Sequence, residues 1–244
     1  MNRLPTCCSP LQHHWPLPRP VPGAVLVSCE FDPARLAADD FQRAAIEQTP
    51  ALQRSVAKRQ AEYLAGRVCA RAALQRLDGR LYVPATGEDR APIWPDAISG
   101  SITHGKGWAA AVVASSSVCS GLGLDQEALL DDERAGRLAK EILTEAELLR
   151  LDPARLGLTV TLTFSLKESL FKALYPLVLK RFYFEHAEVL HWSDDGLARL
   201  RLLTDLSPEW HHGRELEGQF SVEPGRGLSG FIARPGLFPA ASSG

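Results

Sequence analysis

The sequence predicts an α+β fold, a pseudo-twofold pair of lobes in which each lobe is a long helix packed on a small antiparallel sheet. Apolar residues recur with helical spacing over residues 51–77 and again over residues 159–179. Short β-type segments separated by turn residues follow each of these helices. The two halves share no visible sequence identity, so the predicted duplication depends on element order alone.

The first lobe is predicted over residues 24–116, after a proline-rich extended arm at residues 1–23. Six of these 23 residues are proline, which excludes regular structure and indicates an extended segment lying on a surface. In chain order, the predicted elements of the lobe are a strand at 24–28, a helix at 51–77, an irregular connection at 78–97 and a hairpin of strands at 98–104 and 108–114.

The second lobe is predicted over residues 117–234 and is followed by a mobile, low-complexity tail at 235–244. Turn residues separate its last strands, notably at Asp194 to Gly196 and at Pro224 and Gly225. The predicted elements are a strand at 118–125, a charged helical segment at 131–150, a helix at 159–179 that closes near Pro176, and strands at 187–192, 197–203, 217–223 and 228–234.

Composition and charge exclude several classes of protein. With 45% hydrophobic and 23% charged residues, the chain has the mix of an ordinary globular core. A net charge of −2 argues against a nucleic-acid-binding protein. The five cysteines have no C-x-x-C spacing, which argues against a disulfide framework or a zinc knuckle and favours a reducing compartment. Without a membrane-length apolar run or a signal-peptide core, we expect a cytoplasmic protein with no membrane span.

The strand ending at Glu127 carries two acidic residues on one face. In extended backbone, Leu122 and Leu124 point into a core while Asp125 and Glu127 point together to the other side. Two carboxylates on one face repel each other unless a cation lies between them, and Mg²⁺ is the natural candidate because it prefers oxygen ligands. The alternative is a pair of solvated acids in a turn that leaves the sheet.

The segment 163–174 places charged residues on a helix. Glu168 and Lys172 are neighbours at i,i+4 spacing. One interpretation is a surface ion pair worth under about 1 kcal/mol. The other adds Glu168 to the metal ligands and directs Lys167 and Lys172 at phosphate oxygens, forming a charge clamp around a dianionic substrate.

Two segments of the first lobe are candidates for anion binding. In the segment 100–105, a hydroxyl and the imidazole of His104 stand beside a glycine turn and can bind a phosphate, although a lone histidine is more often structural. Residues 54–80 hold seven bases against two acids, which indicates either a solvated face or a site for a nucleotide phosphate, with Arg90 joining from the irregular connection. We find no Ser-His-Asp arrangement.

The order of these segments resembles the 4′-phosphopantetheinyl transferases. The segment Gly121–Glu127 and, about forty residues later, Phe164-Ser-x-Lys167-Glu168-Ser169-x-x-Lys172 are similar to the two signature motifs of that family. The upstream segments at 61–67, 94–95 and 100–104 are also similar. The resemblance covers roughly residues 54–192 and is closest to the large, monomeric, two-lobed type that serves siderophore, surfactin and other modular synthetases. Gln126 is a departure, since an aliphatic residue is common at that position, and Phe164 stands where tryptophan is frequent.

The resemblance implies a reaction, a cofactor and a set of partners. The 4′-phosphopantetheine arm of coenzyme A would pass to a serine of an acyl or peptidyl carrier protein, including carriers of fatty-acid synthesis, and adenosine 3′,5′-bisphosphate would leave. The second lobe would then hold the metal-binding motifs. The resemblance assigns Mg²⁺ to Asp125, Glu127 and Glu168, the diphosphate to Lys167 and Lys172, phosphate oxygens to Thr103 and His104, the 3′-phosphate and adenine side to Arg59, Arg67 and Arg90, and catalysis to Glu168 and Lys172.

Two alternatives from other classes stay open on the sequence. One is a non-catalytic module that binds coenzyme A or a carrier protein, which would not require all three acids. The other is a different Mg²⁺-dependent phosphotransferase or phosphohydrolase that uses the same carboxylates. The proton of the attacking serine passes either to Glu168 or to a metal-bound water, and the sequence does not choose between them.

Overall fold

The computed structural model describes residues 3–223 and the backbone of residues 226–233. The predicted turn at Pro224 and Gly225 and the predicted tail at 235–244 lie outside the described residues.

The first lobe is a three-stranded antiparallel sheet with one long helix. Its strands run in the order β1-β5-β4, with β4 and β5 forming the predicted hairpin. The elements are β1 (Val25–Glu30), α1 (Asp40–Ala44), α2 (Pro50–Gln53), α3 (Ala57–Asp78), β2 (Ala85–Thr86), β3 (Pro92–Ile93), β4 (Ile98–Gly105) and β5 (Trp108–Ser115). The strands β2 and β3 form a small ribbon of their own within the connection that was expected to be irregular.

The helix predicted from residue 51 is interrupted. Thr49 caps the short α2, because its hydroxyl accepts a hydrogen bond from Leu52 N at 3.3 Å. The Leu52 carbonyl then accepts bonds from the amide and the hydroxyl of Ser55, at 3.0 and 2.7 Å, in place of the bond that would continue the helix. The long helix α3 therefore starts at Ala57 and ends before Gly79, which has a φ of 83°.

The second lobe is a five-stranded antiparallel sheet with strand order β6-β10-β9-β8-β7. Thr144 and Glu147 form a capping box that starts a separate helix, so the charged segment 131–150 is two helices. Pro176 lies inside the long helix α6, which continues to Val178. The elements are β6 (Gly121–Glu127), α4 (Asp132–Ile142), α5 (Glu145–Leu149), α6 (Leu156–Val178), β7 (Ala187–Trp192), β8 (Leu197–Leu202), β9 (Glu215–Glu223) and β10 (Arg226–Ala233).

Strand β6 lies between the two lobes. Its residues Leu122 and Leu124 pack with Leu26, Trp108 and Val112 in a shared buried cluster, as the alternation predicts. Its other face meets α6. The first sheet is thus covered by α3 on one face and by the second lobe on the other.

Two glycines allow α6 to touch the backbone of β6. A Cβ added at Gly123 would lie 1.8 Å from the Ser169 carbonyl oxygen, and one added at Gly121 would lie 2.3 Å from the Ala173 carbonyl oxygen. Only glycine permits this approach. The close contact places the acidic end of β6 beside the polar face of α6.

The proline-rich arm packs against both lobes. The buried Asp40 carboxylate accepts hydrogen bonds from the backbone of Thr6, Cys7 and Ala37, at 2.6, 3.2 and 3.1 Å. Farther along the arm, Arg19 N donates to Gln219 Oε1 at 2.9 Å. Leu17 and Val21 join the cluster between the lobes. The arm therefore ties the two sheets together along the molecule.

These elements confirm the predicted α+β class, since each lobe is a long helix on an antiparallel sheet. The two sheets differ in strand number, three against five, and the pseudo-twofold relation stays a prediction. Within the described residues, no helix has the length and apolar character needed to cross a lipid bilayer.

Candidate functional site

A cavity of about 660 Å³ opens between the lobes. The first lobe contributes α3, the ribbon of β2 and β3, and β4, while the second lobe contributes one face of α6. The ionisable side chains that line it are Arg59, Glu62, Arg67, Asp89, Arg90, His104, Glu168, Lys172 and Arg181. Bases outnumber acids in this set, so the cavity is suited to an anionic ligand.

His104 and Arg59 form a polar group on the first lobe. The Arg59 guanidinium lies 3.4 Å from His104 Nε2, and Glu62 approaches His104 Nδ1 at 3.8 Å and Arg59 at 3.9 Å. Burial, together with the positive charges of Arg59 and Lys172, lowers the pKa of His104 to about 4. The ring is therefore neutral at pH 7 and can donate a hydrogen bond to a phosphate without adding charge.

Arg67 is a buried cation aimed at the same cavity. One Nη donates to the Thr86 hydroxyl at 3.0 Å, and the guanidinium lies 4.6 Å from the centre of the Tyr63 ring. Its Nε has no hydrogen-bond partner among the described residues, although the residue is only 6% exposed. A buried guanidinium with an open donor is chemically matched to a phosphate oxygen. Arg90 reaches the cavity from the ribbon, where its φ is 72°.

Asp125 and Lys172 form the polar centre of the second lobe. The Lys172 ammonium donates to Asp125 Oδ1 at 2.7 Å and to the Leu124 carbonyl oxygen at 3.1 Å. The Ser165 hydroxyl donates to Asp125 Oδ2 at 2.8 Å. Asp125 is buried, whereas the Lys172 side chain is 29% exposed and lines the cavity.

Glu127 and Glu168 lie within the electrostatic field of Asp125. Burial and the Asp125 charge raise the pKa of Glu127 to about 7, with Lys172 partly opposing the shift. Burial also raises the pKa of Glu168, which Lys172 lowers and Asp125 raises further. These mutual influences place the carboxylates of Asp125, Glu127 and Glu168 near one another.

The donor chemistry fits a hard divalent cation, since the Asp125 charge raises the pKa of both Glu127 and Glu168 and a cation among the three carboxylates would relieve that repulsion. The present arrangement is not a closed coordination shell. Within the described part of the chain, no group of three or more histidine, cysteine, aspartate or glutamate side chains is placed to hold a metal. The Lys172 ammonium occupies Asp125 Oδ1 instead.

The assignment of Lys167 to the diphosphate is wrong, because the structure buries this side chain away from the cavity. Its ammonium donates to Glu147 Oε2 at 2.7 Å and to the carbonyl oxygens of Ile142 and Phe184 at 2.9 and 3.0 Å. With three acceptors and 2% exposure, it has no donor left for a substrate. The Glu147 carboxylate also accepts from Val189 N, so the pair joins α5, α6 and β7.

The assignment of Thr103 to a phosphate is also corrected. Thr103 and His104 are adjacent on β4, so their side chains point to opposite faces of the strand. His104 lines the cavity, while the Thr103 hydroxyl is buried and accepts a hydrogen bond from Gln126 N at 3.0 Å.

Several cavity residues escaped the sequence analysis. The sequence predicted Glu62 only as an opposing acid and as the i,i+4 partner of Lys58, although its i,i+3 spacing from Arg59 was also a usable signal. Tyr175 lies one turn after Phe171 on α6, and the two rings stack at 5.1 Å. A hydrogen bond to Asp89 of the ribbon raises the pKa of Tyr175, so this pair connects the two lobes at the cavity.

Comparison with known proteins gives a consistent result for both lobes. Residues 47–114 match the family model described as the 4′-phosphopantetheinyl transferase N-terminal domain, and residues 121–223 match that of the 4′-phosphopantetheinyl transferase superfamily. Enterobactin synthase component D of Escherichia coli O157:H7 is 40% identical over 156 residues, which cover 63% of this chain and 72% of that protein.

Two further relatives are named 4′-phosphopantetheinyl transferases. The 4′-phosphopantetheinyl transferase Svp of Streptomyces mobaraensis is 37% identical over 169 residues, covering 64% of this chain and 65% of Svp. The 4′-phosphopantetheinyl transferase Npt of Nocardia iowensis is 33% identical over 147 residues, covering 60% of this chain and 66% of Npt.

Proposed function

Since this chain belongs to the 4′-phosphopantetheinyl transferase superfamily and is therefore a transferase, we propose that it moves the 4′-phosphopantetheine group of coenzyme A onto a serine of acyl and peptidyl carrier proteins. The single observation that best supports this is the cavity between the lobes, where the basic residues of α3 face Lys172 and Glu168 of α6.

The proposed step is a phosphoryl transfer. The serine oxygen of the carrier attacks the phosphorus that bears the pantetheine arm, and the bond from that phosphorus to the bridging oxygen of the diphosphate breaks. Adenosine 3′,5′-bisphosphate leaves with the electron pair, and the serine proton passes to a carboxylate of the enzyme. Because the partner supplies the nucleophile, the enzyme contributes positioning and charge neutralisation, which agrees with the lack of a Ser-His-Asp arrangement.

The first lobe, residues 24–116, would hold the nucleotide. Arg67 has a buried Nε with no partner among the described residues, and Arg59 lines the same cavity from eight residues earlier on α3, so both suit the 3′-phosphate. Arg90 would contribute from the adenine side. The neutral His104 ring would donate to a phosphate oxygen at the junction with the second lobe.

The second lobe, residues 117–234, would hold the reacting diphosphate. The residues that would bind Mg²⁺ are Asp125, Glu127 and Glu168, and the ion, when bound, neutralises charge on the diphosphate oxygens. For this, the Lys172 ammonium would leave Asp125 and move to the diphosphate, which its partly exposed position at the cavity allows. Glu168, whose pKa burial raises, is the proposed acceptor of the serine proton.

The test is mass spectrometry of a purified apo carrier protein incubated with the enzyme, coenzyme A and Mg²⁺. Transfer adds one phosphopantetheine, about 340 Da by covalent composition, and releases adenosine 3′,5′-bisphosphate in equal amount. Controls omit the enzyme, replace Mg²⁺ with EDTA, or use Asp125→Asn. An unmodified carrier together with hydrolysed coenzyme A would favour the phosphohydrolase alternative. An unmodified carrier that still binds tightly would favour the non-catalytic module.

A further inference from the structure

A row of three hydroxyls joins the two lobes beside the cavity. Ser99, Ser101 and Thr103 lie at alternate positions of β4, so all three point to the same face, toward β6. The strands β4 and β6 belong to different sheets, and these side chains bridge them. We call the three residues the hydroxyl row.

Each member of the hydroxyl row bonds to the backbone of the second lobe. Ser99 Oγ donates to the Cys119 carbonyl oxygen at 2.5 Å, and Ser101 Oγ accepts from Leu124 N at 3.0 Å. Thr103 Oγ1 accepts from Gln126 N at 3.0 Å. All three side chains are at least nine-tenths buried, so each bond forms away from water, where an unmade bond is costly.

The bond of Thr103 has the most direct relation to the candidate site. Gln126, whose amide it anchors, is the residue between Asp125 and Glu127. The side-chain amide of Gln126 is buried and has no partner among the described residues, so the side chain adds no polar anchor of its own there. The next alternate position after Thr103 is Gly105, which has no side chain and lies against the Gln126 amide, so the hydroxyl row ends at Thr103.

We propose that Thr103 is a positioning residue, whose hydroxyl fixes the backbone of β6 between Asp125 and Glu127 and thereby sets the separation between these carboxylates and His104. The inference rests on the proposed function. Thr103 would act by holding Asp125 and Glu127 in place and would not contact the nucleotide itself. A shift of the β6 carboxylates by about 1 Å is enough to cost about 100-fold in rate.

Three variants test the proposal. Thr103→Val removes the hydroxyl at nearly constant shape, Thr103→Ser keeps the hydroxyl, and Ser99→Ala removes the member of the row farthest from Asp125. For each variant, we would measure the coenzyme A affinity by calorimetry in EDTA and in Mg²⁺, the kcat for carrier modification as a function of Mg²⁺ concentration, and the Tm.

We expect Thr103→Val to bind coenzyme A in EDTA as the wild type does. Its gain in affinity on addition of Mg²⁺ should shrink, and its kcat should fall about 10- to 100-fold, the range for residues that orient metal ligands. Thr103→Ser should keep the wild-type response to Mg²⁺. Ser99→Ala should lower the Tm but leave the Mg²⁺ response unchanged.

Three results would overturn the proposal. A wild-type Mg²⁺ response in Thr103→Val would leave Thr103 with a stability role only. A loss of coenzyme A affinity in EDTA would indicate direct contact with the nucleotide. An impaired Mg²⁺ response in Thr103→Ser would assign the effect to the methyl group of Thr103. This variant tests the proposal even if Thr103→Val does not fold. Should the wild type modify no carrier, the proposed function fails, while the calorimetric comparison still decides the role of Thr103.

Discussion

Replacing Gly123 with alanine should separate α6 from β6 and disable the site. The added Cβ would lie 1.8 Å from the Ser169 carbonyl oxygen, where ordinary contact begins at 3.4 Å, so the helix must retreat by about 1.6 Å. The Ser169 carbonyl oxygen is a backbone atom and the added Cβ is bonded directly to the backbone, so no side-chain rotation can relieve the contact. The same retreat would pull Lys172 and Ser165 from Asp125, with which they form bonds of 2.7 and 2.8 Å.

The expected magnitudes follow from that displacement. Overpacking of a close contact costs about 1–3 kcal/mol, which lowers the Tm of a chain of this size by about 2–12 °C. The kcat for carrier modification should fall about 100-fold, because the misplacement exceeds 1 Å. Differential scanning fluorimetry and the mass-spectrometric transfer assay measure the two effects on the same preparation.

Gly136→Ala is the matched control. Gly136 lies within α4, and a Cβ there would meet only Leu156 Cδ2, at 4.0 Å. Alanine at this position should raise the Tm by about 2–4 °C, since it improves helix propensity by about 1 kcal/mol, and activity should not change. A Gly123→Ala variant with wild-type kcat and a Tm no lower than that of Gly136→Ala would refute the argument from close approach.

Three further predictions follow from buried polar groups. Lys167→Met leaves the Glu147 carboxylate buried without its cation, so it should lower the free energy of unfolding, measured in urea, by about 3–5 kcal/mol. The coenzyme A affinity of the folded variant, measured by calorimetry, should not change. A large loss of affinity would mean that Lys167 binds the diphosphate after all. Gln126→Leu removes a buried side-chain amide that has no hydrogen-bond partner among the described residues, so it should stabilise the protein by about 1–3 kcal/mol. Destabilisation in the same unfolding assay would mean that the amide does have a hydrogen-bond partner. Burial raises the pKa of Asp40, but hydrogen bonds from Thr6, Ala37 and Cys7 lower it by more, so the folded pKa lies below the unfolded value. The ionised carboxylate therefore stabilises the fold at pH values above its unfolded pKa of about 3.9. This stabilisation is lost as the pH falls through the lower folded pKa. Asp40→Asn should therefore be less stable than the wild type at pH 6, with a gap in urea midpoint that narrows below about pH 4; a gap of constant size would exclude this role.

Periodicity predicted most of the fold correctly. The alternation in β6 placed Leu122 in the core and Asp125 on the opposite face, and the hairpin of β4 and β5 lies where its glycine turn indicated. The breaks in the helices were missed because they depend on single capping bonds. The Ser55 bonds to Leu52 and the capping box at Thr144 interrupt patterns that otherwise continue.

The errors at the site have simple geometric causes. Lys167 precedes Leu170 by three residues and Leu174 by seven, which puts it on the buried face of α6, while Glu168 and Lys172 face the cavity. The family resemblance assigned Lys167 to the diphosphate, although its spacing from Leu170 and Leu174 already indicated a buried position. Thr103 and His104 are neighbours in a strand, and neighbours cannot face one ligand. The approach of Glu62 to His104 depends on the distance between α3 and β4, which no single segment of sequence contains.

The arm is held by hydrogen bonds of Thr6 and of Arg19, and these two bonds can form only at different stages of translation. Asp40 can hold Thr6 as soon as the first lobe emerges, but Arg19 bonds to Gln219, 200 residues later in the chain. The arm therefore completes its contacts only after β9 has been made. Leu17 and Val21 share a buried cluster with Leu122 and Leu124 of β6, so a nascent chain stalled before β6 leaves them partly uncovered and should be a good substrate for chaperones that bind exposed apolar segments.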